Sequence, residues 1–151
     1  MTDQNSESTA PGAGLRLGGF DQSLGVRLIS GSADEVVLAY DIDARHHQPY
    51  GIVHGGVHCA VVESACSLGA SLSARSRGQA GAVGLDNHTS FIRAVRGGTV
   101  TVTAKPLTRG RRTQLWEATA RTEAGEIIST GRVRLLCLES GTELDGEKLE
   151  R

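Results

Sequence analysis

The sequence predicts an α+β domain in which an antiparallel sheet of about six strands wraps around one long helix. Three observations carry that prediction. Residues 54–74 contain no proline and consist mostly of Val, Ala, Leu, Gly and other small residues, with Glu63 the one permanently charged side chain. Downstream lie four segments of strand character, and two of them contain strict period-two alternation. The connections between those segments are short and carry glycine, as turns between antiparallel neighbours do.

Taken in chain order, residues 20–24 read as a short helix or turn. Residues 25–30 and 35–42 form a hairpin around Gly31-Ser32-Ala33-Asp34. Residues 43–53 hold Pro49 and Gly51 and read as an ordered loop leading into the helix. The helix itself breaks at the polar stretch 75–81. Strands are predicted over 82–91, 99–107, 113–122 and 127–138, joined at 96–98, 109–112 and 123–126 as a meander. At 100° per residue, Val57, Val61, Leu68 and Leu72 fall within about 60° of one another and form a large-residue stripe for the sheet. Glu63, Ser67, Gly56, Cys59, Cys66 and Ala70 lie on the other side. A face of such small residues admits a second backbone closely, which points to a subunit interface.

Composition bounds the rest. The 151 residues suit one domain (14–138) with an N-terminal tail (1–13) and a charged C-terminal tail (139–151), both expected to be disordered or frayed. No apolar run reads as long enough to span a bilayer, so no membrane partner is expected. The N-terminus lacks the basic start and apolar core of a secretory signal. Three cysteines, an odd number without close metal spacing, read as reduced thiols in a cytoplasmic protein. Residues 14–138 carry 14 basic against 10 acidic side chains, and no acid falls between Asp86 and Glu117. That interval holds Arg93, Arg96, Lys105, Arg109, Arg111 and Arg112, either a solvated surface or an anion site. With two Phe, two Tyr and one Trp, none interleaving the basic residues, nucleic acid is not the expected partner.

Glu63 is the first candidate for chemistry, because a carboxylate among apolar neighbours is costly unless paired or used. Gly55 and Gly56 sit at the predicted helix N-terminus, where backbone N–H groups lack intrahelical partners. Such donors stabilise a developing oxyanion, and glycine leaves room for a substrate to approach. Eight residues separate Gly55 from Glu63, about 12 Å along a helix. Groups serving one carbonyl must each approach within about 3–3.5 Å, so one helix cannot supply both. Two antiparallel copies related by a two-fold axis can. The rival constellation is a metal site from His46, His47, His54 and His58, which the carboxylate of Glu63 misses by about 140° around the helix from His58. No metal is expected. His88 either lines a site or caps a strand end.

The segment Gln48-Pro49-Tyr50-Gly51-Ile52-Val53-His54-Gly55-Gly56, followed by Glu63 and Ser67, resembles the hotdog-fold acyl-CoA thioesterases. The similarity is greatest to the phenylacetate-pathway and 4-hydroxybenzoyl-CoA thioesterase type, and it covers roughly residues 20–138. The resemblance implies a hotdog fold and hydrolysis of an acyl- or aryl-CoA to free acid and CoA. It implies no cofactor beyond the CoA of the substrate, and a homodimer at minimum, with homotetramers usual. It makes Glu63 the base or nucleophile and Gly55 N–H the carbonyl donor, assisted by Gln48 and His54, with Ser67 positioning the carboxylate or water. It places Arg93, Arg109, Gly110, Arg111 and Arg112 near the nucleotide phosphates, and Gly56, Tyr50 and His88 around the substrate. A non-catalytic acyl-CoA-binding protein and a metal-dependent hydrolase are the alternatives.

Overall fold

The computed structural model describes residues 15–150; the predicted tail over 1–13 lies outside them. Helix α1 (Gly19–Ser23) leads into the hairpin β1 (Arg27–Gly31) and β2 (Val36–Asp41). A short 3-10 turn (Ala44–His46) and a loop then precede α2 (Gly55–Ser76). The strands β3 (Gly81–Phe91), β4 (Thr99–Arg109), β5 (Thr113–Thr122) and β6 (Ile127–Leu138) follow. All six form one antiparallel sheet in the order β1-β2-β4-β5-β6-β3.

That order corrects the simple meander. β3 pairs with β6, not with its successor β4. Residues 92–98 therefore do more than turn: they cross the end of the sheet and tie down the loop before α2. Val53 N–H donates to the Val95 carbonyl at 2.9 Å, His47 Nε2 to the Arg96 carbonyl at 2.8 Å, and the Arg96 guanidinium to the Tyr50 carbonyl at 2.6 Å. The result leaves β3 as an eleven-residue edge strand without a partner on its far side among the described residues.

The predicted helix stripe also shifts. Val57 and Val61 are buried, but Leu68 and Leu72 are only partly so, while Cys66 and Ala70 are fully buried against the sheet. The reason lies on β5, which sends Trp116 into the core opposite Gly69. A Cβ at Gly69 would lie 2.3 Å from Trp116 Cζ3. The sheet supplies the bulk, and the helix supplies the room. Gln114 finishes the joint, accepting from Trp116 Nε1 at 2.9 Å and donating to the Ala70 carbonyl at 3.0 Å. The face left open is still small, but its members are Ala60, Ser64, Ser67 and Ser71. We expect Gly69→Ala to lower Tm despite alanine's better helix propensity. The fully buried indole cannot yield, and overpacking costs about 1–3 kcal/mol against about 1 kcal/mol gained. Thermal unfolding followed by circular dichroism checks this; a raised Tm would contradict the packing account.

Two further expectations change. The 22 residues of α2 are long and apolar enough to cross a bilayer, contrary to the reading of the apolar runs; here the sheet buries one side of them. The C-terminal segment, expected to be frayed, forms a two-stranded ribbon of β7 (Glu143–Leu144) and β8 (Glu147–Lys148). Asp145 (φ 48°) and Gly146 (φ 83°) make its turn, the positive-φ pair that a two-residue hairpin requires.

Candidate active site

The loop ahead of α2 is built to present the helix N-terminus. Gly51 takes φ 71° to close the turn that starts at Gln48, whose carbonyl accepts from Gly51 N–H at 2.9 Å. The Gln48 side-chain oxygen accepts from Tyr50 N–H, so the amide NH2 is the end left to donate. His54 is the N-cap, and its Nδ1 accepts from Gly56 N–H at 2.8 Å. An accepting Nδ1 leaves the ring proton of the neutral imidazole on Nε2. This cap sorts the two glycines. Gly56 N–H is spent on His54, whereas Gly55 N–H has no partner among the described residues and remains the free donor at the positive end of a 22-residue helix.

Glu63 sits two turns further along, and its setting differs from the buried one expected. In the single chain it is exposed, on the flank of α2 that borders β3. Its apolar sequence neighbours face the sheet; Glu63 does not. A bulge at Leu85 interrupts the β3–β6 register between Gly84 and Asp86 and lets the strand pass close to the carboxylate. A Cβ at Gly84 would stand 3.2 Å from Glu63 Oε1. Asn87 Nδ2 donates to the Cys59 carbonyl at 2.9 Å and reaches Glu63 Oε2 at 3.4 Å. Glu63 and Ser67 line an open cleft of ≈570 Å³ with Ala60, Ser64, Phe20 and Arg75.

Several predicted contacts are not brought together. His88 follows Asn87 on β3 and is exposed beside Glu117 and Arg132, so strand alternation turns it away from Glu63. Tyr50 is exposed at the loop surface, its N–H on Gln48 and its carbonyl on Arg96. The basic interval is not an uncompensated patch. Arg93 pairs with Glu126 at 2.5 Å, Lys105 with Glu35 at 3.1 Å, Arg109 with Asp34 at 2.6 Å and Arg111 with Glu139 at 3.8 Å, the acids arriving from other elements. Arg93 lies near Gly55, lining the same small pocket. The turn carrying Arg109, Gly110, Arg111 and Arg112 is instead tied to the C-terminal end of α2 by Arg77 and Gln79. Of the histidines weighed as metal ligands, His46 is fully buried with Nδ1 accepting from Asp43 N–H at 3.0 Å and Nε2 donating to the Leu24 carbonyl at 2.7 Å. His47 donates to Arg96.

Sequence reasoning passed over Asn87, named Phe91 only as one of the residues shaping the acyl pocket, and treated His58 only as a possible metal ligand. Phe91 covers Gly55 so closely that a Cβ there would lie 2.5 Å from its Cε2. His58 is buried, and burial lowers its pKa below the ordinary value of 6.5. The unfolded chain then binds a proton that the native state resists, so this site's contribution to stability is complete above pH 6.5 and is lost as pH falls below it. We expect Tm to decline from pH 6.5 downward in wild type, and that decline to be shallower in His58→Leu; equal slopes in a melt series would contradict it. Burial also pushes the Cys66 thiol up to about 12, so it is no thiolate at neutral pH.

A free N–H at a helix N-terminus and a carboxylate on the same helix suit acyl transfer, and comparison with known proteins decides the family. The model of the thioesterase superfamily matches residues 50–129, which span the loop, α2 and most of the sheet. The chain belongs to the thioesterase superfamily. As a superfamily member it is 39% identical over 122 residues to Rv1847/MT1895 of Mycobacterium tuberculosis, covering 80% of this chain and 87% of that one. The solved structure of that relative superposes with a TM-score of 0.78, over 80% of this chain and 97% of that one. The proofreading thioesterase EntH of Cronobacter turicensis is 33% identical over 78% of this chain and 84% of its own. The 1,4-dihydroxy-2-naphthoyl-CoA hydrolase of Listeria monocytogenes is 28% identical over 76% of this chain and 91% of its own. The fold is the hotdog fold of these thioesterases, and the chain is a thioester hydrolase.

Proposed function

We propose that this hydrolase acts on an acyl- or aryl-CoA thioester, with a site shared between two subunits. The observation that carries this is the split along α2. The unpartnered Gly55 N–H and Glu63 stand about 12 Å apart on one rigid helix, too far to serve the same carbonyl. The exposed carboxylate borders an eleven-residue strand edge open to pairing. Pairing β3 with its own copy about a two-fold axis sets two α2 helices antiparallel, and Glu63 of one chain then faces Gly55 of the other. The working unit is a homodimer at minimum, and the family resemblance supports dimers pairing as homotetramers.

In this reading the thioester carbonyl oxygen takes Gly55 N–H, with the Gln48 amide and His54 Nε2–H as further donors. Glu63 of the partner either removes a proton from an attacking water or adds to the carbonyl carbon itself, forming an anhydride that water opens. In both routes the C–S bond breaks and the thiolate of CoA leaves to be protonated. Ser67, one turn beyond Glu63, orients the carboxylate or the water. Nothing in this sequence of steps calls on a metal or redox group. The name of the Listeria relative, which specifies a CoA thioester, supports CoA as the carrier. Thiol release from a panel of aryl- and alkyl-CoA esters tests the reading; turnover of none would overturn it.

A further inference from the structure

Glu63 is exposed in the chain, so its part in the chemistry needs a group that fixes the direction in which the carboxylate points. Ser67 lines the same cleft but makes no hydrogen bond to that carboxylate among the described residues. Asn87 does. It stands on β3 just past the bulge at Leu85, where alternation turns Asn87 and Thr89 toward α2 and His88 away. Its Nδ2 donates to the Cys59 carbonyl at 2.9 Å and to Glu63 Oε2 at 3.4 Å, while its Oδ1 accepts from the Thr89 hydroxyl at 2.6 Å. A carbonyl only accepts, so the Cys59 bond fixes which end of the amide is the NH2. One N–H is used there, and the second is aimed at the carboxylate. The Thr89 hydroxyl has its place because its partner on β6 is Gly131, where a Cβ would lie 2.5 Å from Thr89 Oγ1.

We propose that Asn87 is a positioning residue for the reaction, holding Glu63 Oε2 so that Oε1 is the oxygen that acts on the water or the thioester carbon. This rests on the thioesterase reading, with Glu63 as base or nucleophile. The two carboxylate oxygens are not equivalent in this setting. Oε2 faces the amide, whereas Oε1 stands over Gly84, where a Cβ would approach it to 3.2 Å. In the water route Oε1 takes the proton; in the covalent route it forms the anhydride bond as the CoA thiolate leaves. Cys59 is also the residue whose carbonyl an α-helix pairs with the N–H of Glu63. Asn87 therefore ties β3 both to the turn that carries the carboxylate and to the carboxylate itself. The 3.4 Å separation is in keeping with a free enzyme, in which catalytic hydrogen bonds are often long and tighten once substrate binds. A misplacement of about 1 Å costs about 10²-fold in rate, which sets the scale for losing this hold.

The test reads kcat and KM by thiol release, on whichever ester of the aryl- and alkyl-CoA panel wild type turns over fastest. Asn87→Leu is expected to lower kcat by about 10- to 100-fold with KM within about twofold of wild type, since aim matters to the reacting state and not to binding. Thr89→Val should lower kcat by a smaller factor, and Thr89→Ser, which restores the hydroxyl, should recover it. A double-mutant cycle separates aim from architecture. Added to Glu63→Ala, Asn87→Leu should cost nothing further, because the residue acts only through that carboxylate. Melting curves on the same samples show which variants are folded. Wild-type kcat in a folded Asn87→Leu chain overturns the proposal, and so does a loss of equal size with and without Glu63. If Asn87→Leu fails to fold, the Thr89 pair decides, and wild-type kcat in Thr89→Val overturns it. A slow Glu63→Ala beside a fast Asn87→Leu removes only the positioning role, whereas no turnover of any ester removes the thioesterase reading as well.

Discussion

Glu63→Ala is expected to lower kcat by about 10³-fold while leaving the fold intact. General-base catalysis contributes about 10²–10⁴, and loss of a nucleophile costs at least as much. Stability should hardly change, because the side chain is exposed in the chain and its one polar contact among the described residues is the long 3.4 Å approach of Asn87. Glu63→Gln should be nearly as slow, since the amide keeps the shape and loses the basicity. Steady-state thiol release with a melting curve on the same samples checks both halves. Near-normal turnover by the alanine variant would remove Glu63 from the chemistry.

Gly55→Pro is expected to cost about 10²–10³ in kcat, the usual penalty for deleting an oxyanion donor. The substitution removes the proposed donor without breaking a helical hydrogen bond. Gly55 is the first residue of α2, where proline's fixed φ is favourable and its missing N–H breaks no helical bond. His54 has φ −66° and ψ 137°, the extended conformation that a residue before proline prefers. The new ring must displace Phe91, which is 59% exposed and can turn outward. Gly55→Ala is the control, adding a Cβ at the same place but keeping the N–H. If the alanine variant is as slow as the proline variant, crowding rather than the donor explains the loss.

Much of this arrangement was readable from the chain. The apolar run, the period-two segments and their short turns place α2 and β3–β6 within two residues of where the structure has them. Gly55 was singled out because a glycine pair at a helix start has a physical meaning that survives without tertiary context, whereas Gln48 and His54 entered through the family resemblance. What escaped the sequence depends on contacts between distant elements. The β3–β6 pairing is set by a seven-residue crossover whose path is fixed by bonds to Val53, His47 and Tyr50. The bulge at Leu85 decides that Asn87, not His88, turns toward the helix. Glu63 looked buried because its neighbours are apolar, yet those neighbours face Trp116 and the sheet. The basic interval looked unpaired because its acids come from the β1–β2 turn, the β5–β6 turn and the segment after β6. Faces and pairings are tertiary facts, and one-dimensional spacing carries them only where the period is strict.

The claim at the centre of this account is that each site draws Glu63 from one chain and Gly55 from another. Glu63→Ala and Gly55→Pro chains, given different affinity tags and co-expressed, yield a heterodimer that tandem purification isolates. Each parent homodimer lacks an essential group in both sites. In the heterodimer, one site combines the intact Gly55 of the first chain with the intact Glu63 of the second, while the other site lacks both. The shared-site geometry predicts that the purified heterodimer regains about half the wild-type kcat per dimer. A heterodimer no more active than its two parents would contradict it.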